Sequence, residues 1–269
     1  MFELNKIYNE DYFITMDTMI KNNVTVDLIL TSPPYNTGRD NCNDIYDTRY
    51  DIYAENKDFN DYIDWTVQLF NYYNKILKNN GCVLYNISYG SENNEQLWIM
   101  LSEIIKNTEF TVADMLIWHK SNALPNNQSS NKLTRICEPV FVLCRKSEYK
   151  TFHMNKKVKN VSNKGQKFYE NINNYIRAVN NDGQCEFNHA TYSSELCVKL
   201  LNIYAPPHSI VYDSFMGTGT TAVACKCLSL SYIGSEISEK QCEFANNRLL
   251  YGNSIYNKTN SNNKSIKLF

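Results

Sequence analysis
The chain contains no long apolar run. Nothing approaches the ~18 consecutive apolar residues that a membrane-spanning helix needs, and the opening MFELNKIYNEDYF carries no basic flank followed by an apolar stretch. A soluble, cytoplasmic protein with no membrane partner is therefore expected. Paired cysteines are missing too: there are nine, an odd number, none in a CxxC spacing, with Cys225 and Cys227 the closest two. This pattern speaks against a disulfide framework and for buried thiols in a reducing compartment, so no metal site is expected. Charge of one sign is also lacking, since 27 Lys and Arg face 28 Asp and Glu for a net charge of −1. A protein coated in positive charge is excluded, and any contact with nucleic acid has to come from a local patch. Composition excludes disorder, with 43% hydrophobic against 20% charged residues. At 269 residues the chain suffices for one large α/β domain, or for such a core carrying a smaller insertion. No internal repeat is present.

What the chain does contain is an alternation of strand and helix patterns. Residues 26–30 (VDLIL) form a branched apolar run stopped by Pro33 and Pro34, which reads as a buried strand with a loop at its C-terminal end. Hydrophobic positions then recur at Phe59, Ile63, Thr66, Phe70, Tyr73 and Leu77, close to helical spacing, and Asn80-Gly81 closes the segment. The aromatic residues of this helix are assigned to the core. Strands are expected at 82–85, 110–118, 139–144, 209–213 and 232–234, and helices at 92–106, 196–204 and 218–228. A last helix opens at Ser238, where Gln241 completes a capping-box pattern. The alternation predicts an α/β fold, its mostly parallel sheet covered by helices on both faces. Residues 121–131 (SNALPNNQSSN) read as a mobile loop and 252–269 as a flexible tail. Between Arg145 and Arg177 lie nine basic residues, among them Lys156, Lys157, Lys159, Lys164 and Lys167, against Glu148 and Glu170 alone. With its weak periodicity, the segment 145–188 reads as a basic insertion outside the core.

Two constellations carry chemistry. Residues 213–221 (DSFMGTGTT) sit between a predicted strand and a predicted helix, where glycines permit close backbone approach and the helix start offers unpaired amides. Glu236 ends the next strand, about twenty residues on, where a carboxylate can hold ribose hydroxyls. The combination reads as a nucleotide-type ligand site, although the Gly-x-Gly alone would also suit a plain tight turn. No Gly-Lys-Ser/Thr follows, which disfavours a P-loop ATPase. The second constellation is Thr31-Ser32-Pro33-Pro34-Tyr35-Asn36. Two prolines stiffen the backbone and remove two amide donors, while Ser32 adds an acceptor and Tyr35 a flat ring. Alone it would also suit a proline-stiffened loop. Beside a ligand site it reads as a rigid acceptor cradle that localises the lone pair of an amino group on a flipped base.

Together these residues resemble the amino-methyltransferases of DNA, the family that makes N6-methyladenine or N4-methylcytosine. TSPPYN resembles the family's catalytic motif, DSFMGTGTTA its cofactor loop, and Glu236 its ribose carboxylate. His189-Ala190-Thr191 with the helix up to Tyr204 resembles the motif around the methionine end of the cofactor, and 116–120 and 138–143 resemble weaker strand motifs. Catalytic motif first, then basic segment, then cofactor loop is the order of the beta class, in which the segment before the cofactor loop recognises the target. The resemblance implies a Rossmann-like S-adenosylmethionine-dependent methyltransferase fold, S-adenosyl-L-methionine as cofactor and double-stranded DNA as substrate. It divides the chain into a catalytic part of the core (1–144), a basic target-recognition insertion (145–188) and a cofactor-binding part (189–251). Ser32, Pro33, Pro34, Tyr35 and Asn36 are assigned to catalysis, and Thr191, Asp213, Phe215, Gly217, Gly219, Thr220 and Glu236 to the cofactor. Lys156, Lys157, Lys159, Lys164 and Lys167 are assigned to DNA. A restriction-modification setting with a cognate endonuclease is implied, as is a homodimer. There are departures: the family's His-Pro reads His189-Ala190, and its Asp-Pro-Phe reads Asp213-Ser214-Phe215.

Adenine N6 is the expected target, because PPYN followed by Thr37-Gly38 resembles adenine enzymes of this class. Ser32 stands where Asp usually accompanies adenine and Ser cytosine, which leaves cytosine N4 as the alternative. Methylation at carbon 5 of cytosine is disfavoured, since the chain has no Pro-Cys pair. Other readings are an inactive nucleic-acid-binding module, weakened by the intact cradle, and a dinucleotide enzyme, in which the Pro-Pro-Tyr loop has no role. RNA is a further substrate class. His119, His153 and His208 read as structural or surface residues.

Overall fold
A computed structural model describes residues 2–36, 57–89, 94–123, 130–183, 185, 188 and 191–252. In chain order the elements are β1 (Lys6–Tyr8), α1 (Tyr12–Lys21), β2 (Val26–Thr31), α2 (Phe59–Ile76), β3 (Leu77–Asn86), α3 (Gln96–Asn107), β4 (Phe110–Lys120), β5 (Cys137–Arg145), β6 (Val158–Val161), β7 (Lys167–Tyr169), β8 (Tyr175–Ala178), α4 (Ser194–Tyr204), β9 (Ile210–Asp213), α5 (Thr220–Cys227), β10 (Ser231–Ser235) and α6 (Glu239–Tyr251). One eight-stranded sheet has the order β1-β10-β9-β2-β3-β5-β4-β8, and β6 pairs with β7 in a separate antiparallel hairpin. Every neighbouring pair in the large sheet is parallel except those of β5, which runs against β3 and β4. The α/β fold with a mostly parallel sheet is thus the one expected. Among the described residues, no helix is long and apolar enough to cross a membrane.

Successive strand side chains point to opposite faces, and this splits the core in two. Leu28, Leu30, Leu84, Val140 and Val142 pack with residues of α4, α5 and α6, whereas Ile29, Val83, Tyr85, Phe141 and Leu143 pack with α1, α2 and α3. With both faces covered, β2 has to be apolar through its middle. Its Asp27 is held by the Lys78 ammonium and the Ile210 amide, each at 2.8 Å. Asp58 caps α2 by accepting from the Asn60 amide, and the helix buries Tyr62, Ile63, Leu69, Phe70, Tyr73 and Ile76 along one stripe. Burying one such aliphatic or Phe side chain stabilises by about 1.5–3 kcal/mol.

Several boundaries differ from the sequence reading. Leu77 opens β3 instead of ending α2, and β1 and α1 were not foreseen. Because β1 pairs with β10, the chain's first strand sits beside residues 189–251 and not only within 1–144. Segment 145–188 is not wholly outside the core: β8 pairs with β4 and buries Ile176 and Ala178. Two of its nine basic residues serve the fold, because carbonyls at the α2–β3 junction and after α3 need donors. The Arg145 guanidinium donates to the carbonyls of Asn74, Leu77 and Lys78, and the Lys146 ammonium to that of Thr108. Residues 124–129 of the expected mobile loop and 253–269 of the tail lie outside the described residues.

Strands β2 and β9 are neighbours, yet the chain leaves β2 toward β3 on one side and β9 toward β10 on the other. Their carboxyl ends therefore meet at a topological switch point, the crevice where open α/β sheets bind ligands. Thr31 ends β2 there and Asp213 ends β9.

Candidate active site
Thr31 Oγ1 donates to Asp213 Oδ1 at 2.7 Å, joining the two motifs directly. Asp213 also accepts from the Phe215 amide at 3.0 Å, Thr221 Oγ1 at 2.6 Å and the Tyr192 hydroxyl at 3.1 Å. Burial pushes its carboxyl above the ordinary aspartate value, while these four hydrogen bonds pull the other way. Asp213 was expected to line the cofactor pocket, and this is corrected: its side chain is 1% exposed and both oxygens are taken by donors from β2, α5 and the segments beside β9. It is a buried knot beneath the loop, and since Thr31 precedes Ser32 it sets the spacing between cradle and loop.

Above the knot lies a cavity of about 360 Å³, within the range of about 300–1,000 Å³ typical of small-ligand sites. Thr191, Phe215, Gly217, Thr220 and Glu236, all expected at the cofactor, line it. Glu236 Oε2 accepts from the Gly217 amide at 2.7 Å and Oε1 from the Ser238 amide at 2.9 Å, so its carboxylate is oriented by the loop and by the start of α6. Ser238 caps that helix by accepting from the Gln241 amide, as the capping pattern predicts. Gly219 is a second correction. It has φ 81°, and a Cβ there would lie 2.8 Å from that of Ala245, so it lets α5 begin against α6 and does not line the cavity.

Other lining residues escaped the sequence reading. Glu10, Asp11, Tyr12 and Phe13 come from the β1–α1 turn, and Lys57 and Trp65 from the approach to α2 and its second turn. The signal for the first group is Asp11, a helix cap whose carboxylate accepts from the Phe13 amide. Trp65, assigned to the core with the other aromatic residues of its helix, is a correction: it lies off the buried stripe of α2 and lines the cavity. The Phe215 ring stands 4.8 Å from Tyr12 and 5.8 Å from Trp65, giving the cavity an aromatic wall. Glu10, Asp11 and Glu236 face only Lys57 among the charged lining residues, so the cavity is net negative.

Ser32 and Pro34 line this same cavity. Ser32 Oγ is 3.3 Å from the Tyr35 hydroxyl, which donates to Asn86 Oδ1 at 3.3 Å; Asn86 in turn donates to the Pro139 carbonyl at 3.0 Å. The Pro34 carbonyl accepts from the Tyr62 hydroxyl at 2.7 Å, whereas no described residue bonds that of Pro33. Asn36 adopts φ 53° and is buried. Its amide donates to the Lys57 carbonyl and Gln96 Oε1 and accepts from the Lys57 amide, while Gln96 donates to the Tyr35 carbonyl. Grouped with the cradle by sequence, Asn36 is in the structure a clamp that holds Tyr35 and joins the chain on either side of residues 37–56.

Lys156, Lys157, Lys159, Lys164 and Lys167 lie on or beside the β6–β7 hairpin, exposed apart from the partly buried Lys156. The same ribbon exposes Val158, Val161, Phe168 and Tyr169 by 46–51%. His119 stacks on Tyr175 with ring centroids 5.7 Å apart, His153 Nε2 lies 2.7 Å from Asn155 Oδ1, and neither they nor His208 line the cavity. His189 and Ala190 lie outside the described residues.

The cavity fits S-adenosylmethionine chemically: an aromatic wall for a flat base, an oriented carboxylate for ribose hydroxyls, and net negative charge for a cofactor that carries a sulfonium and an ammonium against one carboxylate. The chain is 25% identical over 287 residues to the type II methyltransferase M.BglII of Bacillus subtilis, covering 99% of this chain and 74% of that protein. It is 27% identical over 263 residues to the type II methyltransferase M.HinfI of Haemophilus influenzae, covering 91% and 68%. Among solved structures, M1.HpyAVI matches with a TM-score of 0.61 at 23% identity, covering 91% of this chain and 98% of that one. The PvuII DNA methyltransferase, described as cytosine-N4-specific, matches with a TM-score of 0.63 at 17% identity, covering 91% and 92%. These structural likenesses show a shared fold. The family model of the N6/N4 methyltransferases, described as DNA methylase, matches residues 26–247, and the chain therefore belongs to this family of S-adenosylmethionine-dependent DNA methyltransferases.

Proposed function
We propose that the protein methylates the N6 amino group of adenine at a specific sequence in double-stranded DNA, as the modifying half of a restriction-modification system. The observation that carries this reading is one cavity lined by Ser32 and Pro34 on one side and by Phe215, Gly217 and Glu236 on the other. When bound, S-adenosylmethionine supplies a sulfonium-activated methyl group. Phe215 and Trp65 would flank its base, Glu236 would hold its ribose, and Thr191 would lie toward its amino-acid end. The target base leaves the helix, its amino hydrogens are accepted by Ser32 Oγ and the Pro33 carbonyl, and Tyr35 stacks on its ring. The amino nitrogen would then be the nucleophile: its bond to the methyl carbon forms as the methyl–sulfur bond breaks, the neutral thioether leaves and the extra amino proton passes to solvent, so no covalent enzyme intermediate is needed. No described cysteine lines the cavity, and burial pushes the thiols of Cys82, Cys144, Cys197 and Cys225 up, that of Cys144 to about 11. The hairpin lysines meet phosphates and position the duplex.

Cytosine N4 is the second reading, favoured by Ser32 itself. The type II relatives M.BglII and M.HinfI suggest a cognate restriction endonuclease as functional partner. Assembly as a homodimer is carried over from the family resemblance. The test is incubation with unmethylated genomic DNA and isotope-labelled S-adenosylmethionine, digestion to nucleosides and mass spectrometry. Label in N6-methyldeoxyadenosine is expected, and label in N4-methyldeoxycytidine would install the second reading. No label in DNA while the cofactor still binds would overturn both.

A further inference from the structure
Among the described residues the most exposed large apolar side chain is Leu133, 89% exposed, in the connection between β4 and β5. A lone exposed leucine needs no explanation. This one stands in a built setting. Because β5 runs antiparallel to β3, the residues before it emerge at the same edge of the sheet as the carboxyl ends of β2 and β3, where the cradle lies. The Arg135 guanidinium stacks on the Tyr89 ring at 4.1 Å and donates to the Tyr89 carbonyl at 2.6 Å. Tyr89 follows Asn86, the residue that accepts from the cradle's Tyr35. The segment bearing Leu133 is thus pinned beside the place assigned to the target base. Ile136 and Tyr89 are also exposed, by 42% and 38%. Lys132 and Arg135 flank Leu133, and residues 121–137 contain no Asp or Glu, which suits a polyanionic partner.

We infer that Leu133 is a wedge that enters the base stack at the gap left by the extruded target, with Lys132 on a neighbouring phosphate and Arg135 holding the segment in place. This rests on the reading of the protein as a base-flipping DNA amino-methyltransferase. Extrusion breaks the pairing and stacking of one base, and an apolar side chain inserted into the gap restores stacking there and keeps the base from returning. Leu133 touches neither cofactor nor amino group, so it acts by position.

The test compares wild type, Leu133→Ala and Leu133→Met. The base methylated by the wild type is first mapped on genomic DNA, and turnover is then measured on two synthetic duplexes, one fully paired and one with a mismatch opposite the target. On the paired duplex L133A is expected to lose about tenfold or more in turnover, with L133M close to wild type and melting temperature and cofactor affinity unchanged. The mismatch, which makes extrusion easier, is expected to relieve most of the L133A defect. Wild-type turnover by L133A on the paired duplex, or an equal loss on both duplexes, would overturn the wedge while leaving the methyltransferase reading intact. A wild type that labels no DNA would remove that reading and the wedge with it.

Discussion
Asp213 and Glu236 are both acidic residues at strand ends, yet one is a knot and the other a wall of the cavity. Glu236 was legible from its distance to the Gly-x-Gly loop. The direction in which Asp213 points was not, because Thr31, Tyr192 and Thr221, which draw it inward, come from separate segments. Burial holds Asp213 above its ordinary value of 3.8, so the folded chain binds its proton more tightly than the unfolded one. Its contribution to stability is therefore largest below that value and declines as pH rises through the window above it. Melting temperatures of wild type and Asp213→Asn, followed from acid to neutral pH, should show the wild type losing ground to the variant across that window. A wild type that gains ground as pH rises would contradict the burial account. At Gly219, φ 81° and the 2.8 Å approach to Ala245 leave no room for a methyl group. Gly219→Ala is expected to destabilise by about 1–3 kcal/mol in denaturant unfolding through overpacking alone, and a neutral substitution would refute the close approach.

Arg248 of α6 is fully buried and donates to the Thr218 carbonyl at 3.1 Å and Thr220 Oγ1 at 2.9 Å, while its other nitrogen pairs with Asp182. Asp182, after β8, also holds the start of α4 through the Ser194 amide. One ion pair thus joins the end of the basic segment, the cofactor loop and two helices. Arg248→Met leaves Asp182 without its charge partner and should cost about 3–5 kcal/mol by chemical denaturation, with Arg248→Met/Asp182→Asn recovering part of it. Additive losses would show that the pair does not act as a unit. At this scale β2 and α2 were legible, because a buried strand and an amphipathic helix write their periods locally. β1 was not, since three residues carry no period and the strand exists by pairing with β10. β8 hid in the basic segment for the same reason: only Ile176 and Ala178 of YIRA are buried.

Over the whole molecule, near-neutral charge is divided unevenly, with an acidic cavity at the switch point and a lysine-rich hairpin outside the core. The charge count along the chain revealed the basic segment, but not that residues 10–13 would return to wall the cavity, where the pairing of β1 with β10 brings them. Replacing Lys157, Lys159, Lys164 and Lys167 by Gln should reduce the slope of log affinity for DNA against log salt by about 0.9 for each phosphate that no longer meets a lysine. A slope unchanged in fluorescence anisotropy titrations would move the DNA interface off the hairpin. On the proposed function, cradle and cavity are two parts of one site with separate tasks. Turnover and cofactor Kd measured side by side for Tyr35→Ala and Glu236→Gln separate those tasks. Loss of base stacking should lower turnover of Y35A by about 10- to 100-fold at unchanged cofactor Kd, and E236Q should weaken the cofactor by about tenfold or more. Collapse of cofactor binding in Y35A, or full cofactor affinity in E236Q, would contradict that division.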